Sequence, residues 1–161
     1  MTIALSPGTF DPVTNGHLDI ASRAAAIFQQ LIIGVCDSPP KPLLFNTEER
    51  VELMRKAVSH LPNVRVEAYT GLTVEYARRI EAKVIVRGLR SPDFQHEFEM
   101  ALMDKKLAPE LELVYFMTNL EYEFVSSSLL KEVARLGGDI RYLVPEHVVV
   151  ALREKFSLQG T

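Results

Sequence analysis

The fold of this chain is decided by its first strand, loop and helix start, the stretch Ile3-Ala4-Leu5-Ser6-Pro7-Gly8-Thr9-Phe10-Asp11-Pro12-Val13-Thr14-Asn15-Gly16-His17. Residues 3–6 predict a short strand, and the glycines and prolines of residues 7–16 predict a turn-rich loop. From His17 to about Gln30, apolar side chains recur at helical spacing. The stretch therefore predicts a strand that ends in a loop and leads straight into a helix.

The same alternation of strand and helix continues along the chain. Four more strands are predicted, at residues 31–36, 64–68, 83–86 and 111–117. Helices are predicted after Asn46, at residues 72–80, from the end of a loop at 87–92 to about Leu107, and at 126–136, with Gly137 as a left-handed C-terminal cap. Residues 140–144 predict a short extended piece, and Pro145 the start of a last helix.

This order of elements indicates a fold class. Short apolar strands separated by helices are typical of an α/β protein whose parallel sheet is covered on both faces. We expect a single doubly wound, Rossmann-like sheet of five parallel strands, with helices on both faces and a C-terminal helix. In such sheets, ligands bind beyond the carboxyl ends of the strands.

The composition and charge limit the class of protein. The chain has 161 residues, of which 47% are hydrophobic, and this fits one globular domain spanning residues 1–161. Its 18 Lys and Arg against 21 Asp and Glu give a net charge of −3, which argues against a nucleic-acid-binding surface. The single cysteine, Cys36, permits no internal disulfide, and no apolar run approaches the roughly 18 residues of a membrane span. We therefore expect a cytoplasmic protein that binds neither nucleic acid nor membrane.

The first loop holds residues suited to an anion. It offers Gly8 for close backbone approach, the Thr9 hydroxyl, and His17 at the start of a helix. The helix dipole would disfavour the imidazolium form of His17 and leave a hydrogen-bond donor for a phosphate oxygen. The motifs GxGxxG and GxxxxGK[ST] are absent, which disfavours a dinucleotide-binding dehydrogenase and a P-loop kinase.

Three later loops carry similar chemistry. Lys41 follows the second strand and supplies a mobile positive charge, and Arg87-Gly88-Leu89-Arg90 places two guanidinium groups after the fourth. The serines at 126–128 begin a helix, where hydroxyls and free N–H groups suit a polyphosphate. Each of these residues also has an ordinary structural interpretation, as a solvated cation or a helix cap. Together they predict a compact polyphosphate pocket within a mildly acidic chain.

These segments resemble a known family. Thr14-Asn15-Gly16-His17 is similar to the T/H-x-G-H signature of the nucleotidyltransferase superfamily. Three longer strings resemble one branch of that superfamily, the phosphopantetheine adenylyltransferases. They are Pro7-Gly8-Thr9-Phe10-Asp11-Pro12, Ser38-Pro39-Pro40-Lys41-Pro42-Leu43-Leu44-Phe45 and Val125-Ser126-Ser127-Ser128-Leu129-Leu130-Lys131-Glu132. The resemblance extends over essentially the whole chain, including its length.

The resemblance implies an activity. The family transfers the adenylyl group of ATP to 4′-phosphopantetheine, which gives dephospho-CoA and pyrophosphate in coenzyme A biosynthesis. The resemblance further implies direct in-line attack on the α-phosphate, Mg²⁺ that arrives with ATP rather than at a protein metal site, a homohexamer, and feedback binding of CoA.

The resemblance also implies roles for particular residues. The implied catalytic residues are His17, Lys41 and Arg90, and the implied phosphopantetheine-binding residues are Thr9, Lys41, Thr73 and Arg87. The implied ATP-binding residues are Thr9, Phe10, His17, Gly88, Leu89, Arg90, Glu97, Tyr122, Glu123, Phe124, Val125, Ser126, Ser127 and Ser128.

The chain departs from the family pattern at a few positions. Thr73, His96 and Asp104 stand where the family has an apolar residue, a tyrosine and an asparagine, and the segment from Arg90 to Asp93 is one residue shorter. These departures concern contacts with the pantetheine arm and leave the adenylyl-transfer residues intact.

Two other functions stay open from the sequence. One is another adenylyltransferase or cytidylyltransferase of the superfamily, acting on nicotinate mononucleotide or glycerol phosphate. The other is a regulatory module that binds a nucleotide or CoA without turnover. Pyrophosphate release with each substrate pair would distinguish them.

Overall fold

Five parallel strands form one sheet in the computed structural model, which describes residues 1–159. The strands are β1 (Ile3–Gly8), β2 (Gln30–Cys36), β3 (Val64–Tyr69), β4 (Val84–Leu89) and β5 (Glu112–Met117). The helices are α1 (Asn15–Ile27), α2 (Thr47–Ala57), α3 (Thr73–Arg79), α4 (Phe94–Leu107), α5 (Ser127–Arg135) and α6 (Glu146–Gln159). The strand order is β3-β2-β1-β4-β5, which confirms the predicted doubly wound sheet and its C-terminal helix. Residues 160 and 161 of the expected domain lie outside the described residues.

Each face of the sheet has its own apolar core. Ala4 and Leu31 belong to the cluster that α1, α2, α5 and α6 cover, whereas their neighbours Leu5 and Ile32 belong to the cluster that α3 covers. Successive side chains of a strand point to opposite faces, so both faces can be buried only if the strand is apolar throughout. This is why the central strands β1, β2 and β4 have apolar runs at residues 3–5, 31–36 and 84–86, whereas the edge strand β3 alternates and carries Arg65 and Glu67. Among the described residues, no helix combines the length and apolar character needed to cross a membrane.

The winding direction of the sheet reverses between β1 and β4. The chain runs outward from β1 through β2 to β3, then returns to the other side of β1 to form β4 and β5. The β1–β4 ladder consists of Ala4 with Val84 and Leu5 with Ile85, although both strands continue beyond it. The carboxyl ends of β1 and β4 therefore flank a crevice, the usual ligand site of this architecture.

The first helix begins earlier than the sequence predicts. α1 starts at Asn15 rather than His17, because the Thr14 hydroxyl accepts a hydrogen bond from the His17 N–H and caps the helix. It ends at Ile27, because Gln30 already pairs with Ile3 as part of β2. His17 is thus the third residue of the helix and not its first.

Three further predictions about secondary structure are wrong. Pro7 and Gly8, predicted in the first loop, continue β1 because they pair with Gly34 and Val35 of β2. Arg87 and Gly88 were expected in a loop, but they continue β4 because they pair with Tyr115 and Phe116 of β5. Residues 140–144 form turns instead of an extended piece, closed by the hydrogen bond from the Leu143 N–H to the Ile140 carbonyl. The predicted left-handed cap at Gly137 is confirmed, with φ at +79°.

A buried arginine joins the carboxyl ends of β1 and β2. Arg50 of α2 has 0% exposure, and its guanidinium donates five hydrogen bonds of 2.7–3.2 Å. The acceptors are the carbonyl oxygens of Thr9, Cys36, Asp37 and Phe45 and the hydroxyl of Thr47. No carboxylate of the described residues forms an ion pair with Arg50, so backbone dipoles at the strand ends stabilise its charge.

We expect Arg50→Met to lower the free energy of unfolding by about 3 kcal/mol or more, because several buried carbonyl groups lose their donors together. Arg55→Met, on an exposed position of the same helix, should change it by less than about 1 kcal/mol. Urea unfolding followed by circular dichroism measures both variants. Equal stability of the two would contradict this role of Arg50.

Candidate active site

A cleft of about 570 Å³ lies at the carboxyl ends of β1 and β4. Its walls come from the first loop, the start of α1, the segment after β2, the end of β4 and the start of α5. The structure brings thirteen of the predicted site residues to this cleft: Thr9, Phe10, His17, Lys41, Arg87, Gly88, Arg90, Glu97, Tyr122, Val125, Ser126, Ser127 and Ser128. Segments more than one hundred residues apart in sequence therefore form one site.

Four other predicted site residues are not among those lining the cleft. Leu89 ends β4, and Phe124 is 60% exposed. The Glu123 carboxylate accepts a hydrogen bond of 2.6 Å from the Ser91 N–H. The Thr73 hydroxyl is hydrogen-bonded to the hydroxyl of Tyr69 at 2.9 Å, next to the core that α3 covers.

The first loop orients the imidazole of His17. The Thr14 N–H donates to His17 Nδ1 at 3.0 Å, so Nδ1 is an acceptor and the proton of the neutral ring is on Nε2. The Phe10 ring packs edge-on against the imidazole with the ring centroids 4.9 Å apart. Gly8 makes room for this packing, because a Cβ there would lie 2.8 Å from the Phe10 ring. His17 therefore offers Nε2–H as a donor to the cleft that it lines.

The surroundings of His17 keep it neutral. Burial, and then the positive charges of Arg90 and Lys41, lower the pKa of His17 from 6.5 to about 4. At neutral pH the ring is a hydrogen-bond donor and has no proton that it readily gives up. This suits it to stabilise negative charge in a reaction rather than to act as a general acid.

Three of the four lysines and arginines that line the cleft are paired with acids. The pairs are Arg90 with Asp93 at 2.7 Å, Lys131 with Asp11 at 2.7 Å, and Arg87 with Glu97 at 3.8 Å. Lys41 is exposed, and no described residue is hydrogen-bonded or ion-paired to its amine. Among the described residues, Lys41 is thus the one cation of the cleft without a hydrogen-bond or ion-pair partner, and it lies on the segment after β2.

The pair of Arg87 and Glu97 retains unused hydrogen-bonding capacity. Arg87 Nε and Glu97 Oε2 are buried without a hydrogen bond, and so is Oδ2 of the nearby Asp104. Burial raises the pKa of Asp104, although the charge of Arg87 opposes this shift. Unpaired buried polar atoms are rare in proteins and are consistent with a partner that the chain itself does not supply.

The start of α5 forms one wall of the cleft. The Ser126 hydroxyl accepts a hydrogen bond from the Leu129 N–H at 3.1 Å and caps the helix. The Ser127 hydroxyl donates to the Pro12 carbonyl at 2.9 Å and ties α5 to the first loop. The first N–H groups of a helix have no intrahelical acceptor, and the residues that begin α5, Ser127 and Ser128, line the cleft, which suits this wall to an anion.

The described residues contain no ready-made metal site. No group of three or more His, Cys, Asp or Glu among them could hold a metal ion. The three carboxylates that line the cleft each lie beside a cation.

Sequence reasoning missed three residues that build the site, Asp11, Arg50 and Lys131. Lys131 had a detectable signal, because it follows Ser127 by four residues and so lies on the same face of the helix. Asp11 lies within the first loop, but its partners are distant in sequence. Arg50 also had a signal, because it lies three and four residues before Leu53 and Met54 and so on the apolar face of the predicted helix, whereas Arg55 lies at the edge of that face.

We expect the His17 ring proton signal to titrate with a midpoint near pH 4 in the free protein, because the buried ring resists protonation. Unfolded His17 binds its proton below about pH 6.5, so this group destabilises the fold progressively as the pH falls from 6.5 to 4. Nuclear magnetic resonance titration measures the midpoint, and His17→Gln identifies the signal. A midpoint near 6.5 would contradict the buried, neutral state.

Comparison with known proteins shows the family of this chain. A model of the cytidylyltransferase-like family matches residues 5–133. The phosphopantetheine adenylyltransferase of Desulforudis audaxviator is 52% identical and covers 99% of both chains. That of Roseiflexus sp. is 54% identical and covers 97% of this chain and 98% of its own.

A solved structure supports the fold. It is described as a nicotinate-nucleotide adenylyltransferase from Vibrio parahaemolyticus, and it has a TM-score of 0.68 over 94% of this chain and 99% of its own. Because only 16% of its residues are identical, this likeness concerns the architecture alone. Half of all positions, in contrast, are identical to the relatives above over nearly their full length. This chain belongs to the phosphopantetheine adenylyltransferases, a branch of the cytidylyltransferase-like nucleotidyltransferases.

Proposed function

We propose that this chain transfers the adenylyl group of ATP to 4′-phosphopantetheine, and that residues 1–161 act as one nucleotidyltransferase domain. The observation that carries the proposal is the convergence of His17, Lys41 and the start of α5 on one cleft. These groups suit two phosphate-bearing substrates that meet between them. The name of the relatives supplies the identity of the acceptor.

The proposed reaction is a direct displacement. An oxygen of the 4′-phosphate attacks the α-phosphorus of ATP, and the bond from that phosphorus to the oxygen bridging it to the β-phosphate breaks. Pyrophosphate leaves with that electron pair, and dephospho-CoA remains. A phosphate monoester is already an anion, so no general base is needed, and catalysis consists of positioning and charge stabilisation.

The cleft residues divide these tasks. His17 Nε2–H donates to an oxygen of the α-phosphate as negative charge builds in the transition state. Lys41 orients the attacking phosphate and the nucleotide, and Arg90, held by Asp93 and the Val125 carbonyl, contacts the triphosphate. The start of α5 binds the β- and γ-phosphates. Mg²⁺ enters as part of the nucleotide substrate, whose phosphate charge it partly neutralises.

The proposal extends to assembly and regulation. We expect a cytoplasmic homohexamer, as the resemblance implies. Helix α4 supports association between copies, since it has no buried residue in the described structure and Phe94, Phe98 and Leu102 are each 56–59% exposed. CoA carries the same pantetheine arm as the product, so it can compete at the same cleft as a feedback inhibitor.

Pyrophosphate release tests the activity directly. ATP with phosphopantetheine should release pyrophosphate, whereas nicotinate mononucleotide in place of the acceptor, or CTP in place of ATP, should release little. Release with nicotinate mononucleotide but not phosphopantetheine would indicate another branch of the family. Nucleotide binding without release from any pair would indicate a binding module and overturn the proposal.

His17→Ala should lower the turnover number by ~10²-fold or more and change the dissociation constant of ATP much less, because the donor acts on charge that develops in the transition state. His60→Ala is the matched control, since His60 is exposed and outside the cleft. Steady-state kinetics and equilibrium binding measure the two effects. Unchanged turnover in His17→Ala would exclude the assigned role.

A further inference from the structure

The carboxylate of Asp11 joins three segments of the active site. Asp11 is 3% exposed, and its Oδ1 accepts a hydrogen bond of 2.9 Å from the Phe45 N–H. Its Oδ2 accepts one of 2.9 Å from the Leu44 N–H and one of 2.7 Å from Lys131 Nζ. A buried carboxylate is stable only when it is paired and hydrogen-bonded, so the three partners are needed together.

The Asp11 carboxylate anchors the segment that carries Lys41. Lys41 is exposed, and its own N–H donates to the Pro39 carbonyl, a bond within the segment that does not attach it to the cleft. The segment is attached at both ends. At its start the Asp37 carbonyl accepts a hydrogen bond of 3.2 Å from Arg50, and at its end the N–H groups of Leu44 and Phe45 bind Asp11. The place of Lys41 at the cleft therefore depends in part on the Asp11 carboxylate.

Lys131 supplies the charge that makes this anchor stable. Its side chain is 23% exposed and lines the cleft from α5, but its amine is committed to Asp11. Lys131 thus links the polyphosphate-binding start of α5 to the segment that carries Lys41. Lys131 Nζ lies 2.7 Å from Asp11 Oδ2, so its charge balances that of the buried carboxylate.

We propose that Lys131 is a positioning residue for adenylyl transfer: by pairing with Asp11 it holds Leu44 and Phe45, and through them it places Lys41 between the two substrates. The inference rests on the proposed function and adds a residue that acts through Lys41. It predicts that Lys131 governs turnover more than nucleotide affinity, because its amine stays on Asp11 in the complex.

Lys131→Met should lower kcat about tenfold or more and change the KM for ATP by less than about threefold, since misplacement of a catalytic group affects the transition state most. Lys131→Arg keeps the charge and the donor, and it should restore most of the turnover. Lys56→Met is the matched control, because Lys56 forms only a surface pair with Glu52 at 3.9 Å.

A double-mutant cycle with Lys41→Ala tests whether Lys131 acts through Lys41. In the Lys41→Ala background, Lys131→Met should lower kcat by less than about a further twofold, because the group it positions is already absent. If Lys131→Met lowers kcat by the same factor in the Lys41→Ala background as in the wild type, the two residues act independently and the proposal is overturned. So would a rise of about tenfold or more in the KM for ATP at unchanged kcat, which would identify Lys131 as a direct ligand of the triphosphate.

Hydrogen exchange provides a readout that does not need activity. The N–H groups of Leu44 and Phe45 should exchange faster in the full-length Lys131→Met protein than in the wild type or Lys56→Met, because their acceptor loses its counter-charge. Unchanged exchange at both groups would overturn the proposal. A wild-type chain that releases no pyrophosphate would instead overturn the proposed function, and exchange would still decide whether Lys131 stabilises this anchor.

Discussion

The carboxyl edge of a buried parallel sheet needs hydrogen-bond donors, and at the ends of β1 and β2 one arginine supplies them. The carbonyl groups at the ends of β1 and β2 point out of the sheet, and Arg50 donates to those of Thr9, Cys36 and Asp37. Asp11 supplies acceptors where Arg50 supplies donors. Its carboxylate accepts hydrogen bonds from the N–H groups of Leu44 and Phe45, which lie outside any strand. These two buried charges hold the loops that form the cleft, and the position of every cleft residue contributed by those loops depends on them.

The charges of the cleft explain how a mildly acidic chain can present local positive charge. The net charge is −3, yet the acids that reach the cleft lie beside arginine or lysine and orient them instead of repelling a ligand. Lys41 keeps a charge without a partner among the described residues, and neutral His17 adds a donor whose surroundings disfavour protonation. The overall charge therefore says little about the local field, which depends on a few paired side chains.

Much of the fold could be predicted from the sequence, since most strands contain a short apolar run and the helices have apolar residues at helical spacing. The predicted ends of strands and helices were wrong where tertiary contacts extend an element. Arg87 and Gly88, for example, belong to β4 because they pair with β5. Most of the candidate site was also predictable, because glycines, hydroxyls and cations follow the strands. Thr73 is an exception among the predicted site residues, because it does not line the cleft. Its hydroxyl is hydrogen-bonded to that of Tyr69, a contact that the local sequence pattern does not predict.

The sequence by itself determined the alternation of strands and helices, the parallel sheet and the family resemblance, because these depend on local periodicity and on strings of neighbouring residues. Only the tertiary structure decided which charges are buried and which partner each one has. Helical spacing puts Arg50 on the apolar face of α2, but its five acceptors come from other segments and are known only from the tertiary structure. Lys131 and Asp11 are 120 residues apart in sequence. Their pairing requires the whole sheet between them, since burial and ion pairing arise from the packing of distant segments and not from the order of residues along the chain.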